Sequence, residues 1–181
     1  MISRRDFLKM ASGAALSTVS STVLARTTRL EHAQGERILQ LQNIHTGESI
    51  SATYWAEGKY IPEELAAIDR VLRDHRSREV AVMDRQLYDV LYVLQQQVDK
   101  RGHYQVISGY RSPATNDKLR KTGSGVAKRS LHMQGKAVDI RLPGVELKHL
   151  RQAALELRAG GVGYYPKSNF IHVDTGRPRF W

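Results

Sequence analysis

The sequence has no cysteine among its 181 residues. Disulfides, thiolate nucleophiles, iron–sulfur clusters and cysteine-type zinc fingers are excluded together. Any metal must be held by His, Asp or Glu. Acidic residues are in deficit, 18 against 28 Lys and Arg, for a formal net charge of +10. A basic surface of that size favours polyanionic partners: nucleic acid, anionic lipid or acidic cell-wall polymer. The basic cluster at residues 118–129 lacks interleaved aromatic residues, which counts against nucleic acid. A long apolar run is also missing. Met10 to Leu24 comes nearest and is too short and polar for a good membrane span. There are no internal repeats, and the length suits one domain with a proper core. Hydrophobic residues at 41% and charged residues at 25% give an ordinary globular balance without wholesale disorder.

What is present begins with a leader. Ser3-Arg4-Arg5-Asp6-Phe7-Leu8-Lys9 has the pattern of a twin-arginine export signal. The modestly apolar run follows it, and Val23-Leu24-Ala25 offers small residues at the usual cleavage positions. Charged, apolar and small-residue zones arrive in signal-peptide order, which favours this reading over a short amphipathic helix of the fold. The expectation is a signal over residues 1–25, recognised by the twin-arginine translocase, and a periplasmic domain over residues 26–181. The leader's three basic residues and one acidic residue leave about +8 on that domain.

Residues 26–35 form a polar lead-in. Glu36 to Gln42 alternates Ile38, Gln40 and Gln42 against Leu39 and Leu41. Thr46-Gly47-Glu48 turns, and Ser49 to Trp55 resumes extended character, predicting a β-hairpin. Pro62 opens a short helix carrying Leu65, Ile68, Val71 and Leu72. Asp84 caps a longer one with Leu87, Val90, Leu91, Leu94 and Val98 on its apolar face, ended by Lys100-Arg101-Gly102. Tyr104 to Ser108 reads as a strand, and Pro113 starts a basic helix to Lys121. Thr122 to Ser130 is a Gly/Ser/Lys-rich loop, expected to be mobile and near the site. Lys136 to Arg141 is a strand through Asp139. Glu146 to Arg158 is a helix with Leu147, Leu150, Ala154 and Leu157 on one face, ended by Gly160-Gly161. Val162 to Tyr165 and Phe170 to Asp174 are strands joined by a turn at Pro166 to Asn169. The pattern is α+β.

Two imidazoles and a carboxylate stand out. His132 ends a loop, Gly135 permits a tight bend, and Asp139 lies within the apolar run Ala137-Val138-Ile140. A carboxylate in a buried strand is unfavourable unless it is paired or coordinates a metal. His172 shares a strand face with Phe170 and Asp174, while Ile171 and Val173 point the other way. Asp174 either orients His172 from behind or acts on substrate. His132, Asp139 and His172 supply the donor mix of a hydrolytic zinc with an open position.

Ser130-x-His132-x-x-Gly135-x-Ala137-x-Asp139, Gly163-Tyr164-Tyr165-Pro166 and Phe170-Ile171-His172-Val173-Asp174 together resemble the zinc D-Ala-D-Ala peptidase family (M15-type). The likeness is closer to its exported, twin-arginine-secreted branch of murein endopeptidases, and it covers most of the mature chain. It implies a hedgehog/D-Ala-D-Ala-peptidase-like fold with a small antiparallel sheet and flanking helices. It also implies Zn2+ on His132, Asp139 and His172, and cleavage of amide bonds in murein (peptidoglycan) cross-links. Ser108-Gly109-Tyr110-Arg111-Ser112 matches as well. The arginine at this place in related peptidases steadies the polarised carbonyl, so Arg111 inherits that role, an effect often worth about 3 kcal/mol.

One position departs from the pattern. Several relatives keep Glu, Asp or His three residues before the last metal-binding histidine, as general base; here that residue is Asn169. Either Asp174 serves, or a residue outside these motifs does, or the zinc makes a dedicated base unnecessary. The basic stretch Lys118 to Arg129 is positioned to attract free carboxylates of peptide stems, or else is simply solvated. Three other readings stand beside the leading one: a carboxypeptidase trimming terminal D-alanine, a catalytically silent wall-binding module, and, on charge alone, a nucleic-acid binder. A monomer without nucleic-acid partners is expected.

Overall fold

The computed structural model describes residues 35–123 and 126–181. The leader and most of the lead-in lie outside the described residues. Alternating burial draws Arg37–Asn43 (β1) and Ser49–Ala56 (β2) into an antiparallel hairpin. Leu39 and Leu41 are fully buried, while Ile38 on the other face is exposed. The turn closes where the Gly47 N–H donates to the Asn43 carbonyl. Lys59–Tyr60 (β3), too short to announce itself in sequence, extends the hairpin.

Helix α1 (Pro62–Val71) starts at its proline as expected, and Leu65, Ile68 and Val71 are buried. Helix α2 (Arg85–Gln97) is capped by the Asp84 side chain, which accepts from the Gln86 N–H. Both helices pack on the hairpin, and Leu87, Leu91 and Leu94 fill the space between them and the sheet. Full burial of each such side chain contributes about 1.5–3 kcal/mol. The end of α2 differs from expectation. Asp99 takes the left-handed conformation (φ 45), so Lys100 and Arg101 follow the helix instead of occupying its last turn.

Tyr104–Ser108 (β4) runs parallel to β1 and leads through Ser112, whose hydroxyl accepts from the Thr115 N–H, into helix α3 (Pro113–Thr122). Lys118, Arg120 and Lys121 therefore sit on a helix, and only the residues beyond them form the basic loop. Ala137–Arg141 (β5), Gly161–Tyr165 (β6), Phe170–Asp174 (β7) and Arg179–Phe180 (β8) complete one sheet in the order β3-β2-β1-β4-β5-β7-β6-β8. Helix α4 (Leu147–Leu157) packs against α2, β6 and β7. The class is α+β, as expected. The sheet is larger than the resemblance implied, at eight strands, and two of its pairings, β1 with β4 and β6 with β8, are parallel.

Gly160-Gly161 does not end α4; Arg158 does, in the left-handed conformation (φ 51). Gly161 is needed for a different reason. A side chain there would collide with the Asp174 carboxylate and the Arg179 guanidinium. Among the described residues, no helix is long and apolar enough to cross a membrane.

Candidate metal centre

Strands β5 and β7 are antiparallel neighbours with Asp139 directly opposite His172. Their alternate residues Val138, Ile140, Ile171 and Val173 face the core. Asp139, His172 and Asp174 consequently share the other face. His132 arrives from a short 3-10 turn, Leu131–Gln134, closed by Gly135 in the left-handed conformation (φ 66). That turn is pinned from both sides. The Asp84 N–H donates to the Gly135 carbonyl, and the Arg111 N–H donates to the His132 carbonyl.

Three donor atoms converge. His132 Nε2 lies 3.3 Å from Asp139 Oδ1 and 3.2 Å from His172 Nδ1, and His172 Nδ1 lies 2.9 Å from Asp139 Oδ1. The acceptors behind the imidazoles orient them. His132 Nδ1 is 2.7 Å from the Gly109 carbonyl, which can only accept, so it carries the proton. His172 has a carboxylate oxygen on either side, Asp174 Oδ2 3.0 Å from Nε2 and Asp139 Oδ1 2.9 Å from Nδ1. With a cation among the inner atoms, Nε2 keeps its proton for Asp174 and each imidazole turns a bare lone pair inward, alongside a carboxylate oxygen. Three lone pairs this close repel unless a cation sits among them.

Tetrahedral coordination with bonds of about 2.0–2.1 Å sets donor atoms about 3.3 Å apart, close to the separations found. The residues fit a zinc-like ion, and His132, Asp139 and His172 are the cluster of potential ligands among the described residues. The same groups set one another's proton affinity. Burial by itself would raise the Asp139 carboxyl, but the His132 and His172 imidazoles hold it well below the usual carboxylate range. Burial disfavours the imidazolium of His172, yet Asp139 and Asp174 on either side outweigh it and push the group up.

Asp174 stands behind His172 and is fully buried. Its Oδ1 accepts from the Gly161 and Gly176 N–H groups at 2.9 and 2.8 Å and from Arg179 at 3.0 Å. Its Oδ2 accepts from His172 and, at 2.7 Å, from Arg179. These partners overcome burial and keep the carboxyl strongly acidic. Asp174 does not line the cleft.

The cleft above the three donors has a volume of about 500 Å³. Arg111 forms part of its wall, with only long contacts: 3.5 Å to Asn116 Oδ1, 3.4 Å to Ser108 Oγ and 3.9 Å to Asp139 Oδ2. Its buried Nε has no hydrogen-bond partner among the described residues. Burial weakens its hold on the proton, against the pull of Asp139. The described part of the loop after α3 contributes Val126, Ala127 and Arg129, so its expected closeness to the site is found. Asn169 is exposed in a left-handed turn (φ 54) and is not part of the cleft wall.

Arg179 and Trp181 went unread in the sequence, and Tyr165 and Phe170 stood in the motifs without a role of their own. The Trp181 ring leans on His172, 5.2 Å between centroids, and Tyr165 stacks on Phe170 at 4.6 Å. A signal for Arg179 was available, because a buried Asp174 requires a cation and Arg177 and Arg179 follow within reach. The aromatic side chains carried no comparable signal, since such residues are core by default.

The family model described as peptidoglycan L,D-endopeptidase MepK (peptidase M15_2) matches residues 31–181. The chain is 50% identical over 145 residues to the peptidoglycan L,D-endopeptidase MepK of Escherichia coli K12, covering 80% of each protein. The same identity and coverage hold for the protein of that name from Shigella flexneri. Identity to the probable peptidoglycan L,D-endopeptidase MepK of Haemophilus influenzae is 45% over 146 residues, 80% of this chain and 78% of the relative. All the residues of the centre and its cleft fall within the matched span, and on that match the chain belongs to the peptidase M15_2 family.

Proposed function

We propose that this protein is a zinc-dependent peptidoglycan endopeptidase that hydrolyses amide bonds in murein cross-links outside the cytoplasm. The observation that carries the reading is the inward-facing trio of His132 Nε2, Asp139 Oδ1 and His172 Nδ1, with an acceptor behind each imidazole to receive the proton of its outward nitrogen. Two nitrogens and one carboxylate oxygen suit zinc with a position left for substrate. The names of the relatives, L,D-endopeptidases, favour an internal bond over trimming of terminal D-alanine. The proposal extends to a signal over residues 1–25, export by the twin-arginine translocase, a mature domain over 26–181 in the periplasm, and action as a monomer.

Zinc in this place supplies Lewis acidity, polarising the scissile carbonyl and making water a nucleophile near pH 7. The chain's own groups do the rest. The Gly109 carbonyl and Asp174 hold the two imidazoles in orientation, which supports metal affinity from behind the ligands. Asp174 serves in that orienting role; its five accepted hydrogen bonds and its place away from the cleft speak against the base role. Arg111 offers an under-partnered charge at the cleft wall, suited to the negative charge that develops on the carbonyl oxygen. Replacing Arg111 by Ala is expected to lower kcat about 100-fold while leaving metal content unchanged.

The direct test is a muropeptide profile. Protein is incubated with intact cross-linked murein, with zinc and again with chelator. Loss of cross-linked dimers with zinc alone is the expected result. Loss of terminal alanine alone would make the protein a carboxypeptidase. An unchanged profile from folded, zinc-loaded protein would leave a silent wall-binding module.

A further inference from the structure

Hydrolysis of an amide needs a proton carrier as well as a nucleophile. Water adds its oxygen to the carbonyl carbon, and the C–N bond then breaks with its electron pair going to nitrogen. That nitrogen departs readily only if it gains a proton. The position that holds a carboxylate or imidazole in related peptidases is Asn169, off the cleft wall. Among the described residues that line the cleft, the ionisable groups are the three metal-site residues, Arg111, Arg129, Arg179 and Tyr165. The ligand atoms face the metal position, and guanidinium groups do not release protons. Asp174 is sealed behind His172. The Tyr165 phenol is the group that is left.

Its surroundings suit the task. Tyr165 ends β6, and its ring is held flat against Phe170, 20° from parallel. The Trp181 indole N–H donates to Tyr165 Oη at 2.7 Å. This occupies a lone pair, leaves the phenol O–H free to donate, and would stabilise the oxygen once its proton has gone. The same indole leans on His172, so the hydroxyl is tethered to a side chain packed on a metal-site residue.

We propose that Tyr165 is a catalytic residue, the proton donor to the leaving amine. The proposal rests on the endopeptidase reading above. The proton moves from Oη to nitrogen as the C–N bond breaks, and the phenolate is restored by the proton that the attacking water releases. One water is consumed, and a carboxyl and an amine are formed.

The test compares the zinc-loaded wild type with Tyr165→Phe on two substrates. One is a purified cross-linked muropeptide dimer. The other is an ester analogue with a nitrophenolate leaving group, which departs without a proton. The expected result for Tyr165→Phe is a fall in kcat of about 100-fold to 10,000-fold on the amide. KM and zinc content stay unchanged, and the ester is lost by less than about tenfold. Amide cleavage at the wild-type rate overturns the proposal. So does an equal loss on amide and ester, which would assign Tyr165 to packing. A wild type inert on the dimer overturns the endopeptidase reading instead, and this inference with it.

Discussion

Asp69, among the helices that cover the hairpin, and Asp174, behind the candidate metal centre, are both buried carboxylates, but their partners differ in kind. Asp69 accepts from the Met83 N–H and the Tyr88 hydroxyl, both neutral donors, and burial pushes its carboxyl up. Asp174 faces an imidazole and a guanidinium as well as two N–H groups, and these keep it ionised despite burial. Neutral donors let a buried carboxylate serve as a structural joint, whereas cationic partners preserve a charge that other groups can use. The contrast extends to the two ends of the sheet. Around β1 and β2 the polar links bind helix to strand, as where Tyr54, Tyr60 and Arg37 all donate to Asp89. Around β5, β7 and β6 they converge on a cleft.

The comparison breaks most clearly at His172. Replacing it by Ala is expected to abolish zinc retention and murein cleavage while circular dichroism shows the fold retained; full activity would remove the site assignment altogether. At the other end, Leu91→Ala should cost about 2–5 kcal/mol in denaturant unfolding, since Leu91 is fully buried. Zinc affinity of its folded fraction should be unaltered, and a large change in that affinity would show that the two ends are not separable.

Asp174→Asn tests both properties of the charged cluster. Zinc affinity measured by competition with a chelator should fall by about 10–100-fold. Asp174 has a lowered carboxyl pKa, so its stabilisation is present above the unfolded value of about 3.9 and is lost as pH falls through the folded one. The stability difference between wild type and this variant should accordingly shrink in strong acid, as read from pH-dependent unfolding curves. Asp69→Asn should have the smallest effect, within about 1 kcal/mol of wild type at pH 7, because an amide oxygen can accept the same two bonds. The sign is opposite here. A raised carboxyl pKa favours the folded state below the unfolded value and loses that advantage as pH rises through the folded one, so the variant should gain relative to wild type with increasing pH.

Much of this was legible along the chain. Period-two alternation at Leu39 and Leu41, Pro62 at a helix start and Asp84 as a cap each act within a few residues, and each was found where the pattern put it. Asp139 and His172 could be read as candidate donors because a polar residue inside an apolar strand is an anomaly, and His132 because it ends a loop shortly before Asp139 with Gly135 between them. Long-range events were harder to see. The parallel pairing of β8 with β6 brings Arg179 to Asp174, and no local periodicity marks a two-residue strand. In sequence, Gly160-Gly161 has the look of a helix stop, which glycine commonly is. The reason for Gly161 lies across the sheet, in the room its missing side chain leaves for Asp174 and Arg179.

The pairing of Asp139 with His172 across β5 and β7 has a further consequence. A slip of one residue between these strands would turn one donor to the opposite face and dismantle the trio. An ion that recognises all three donors is therefore a proofreader of strand alignment, binding chains that have zipped correctly and passing over those that have not. At free metal a thousand times its dissociation constant, binding the folded form alone adds about 4 kcal/mol. That increment would go only to the correct alignment, so an ion bound there would favour well-formed molecules over misaligned ones.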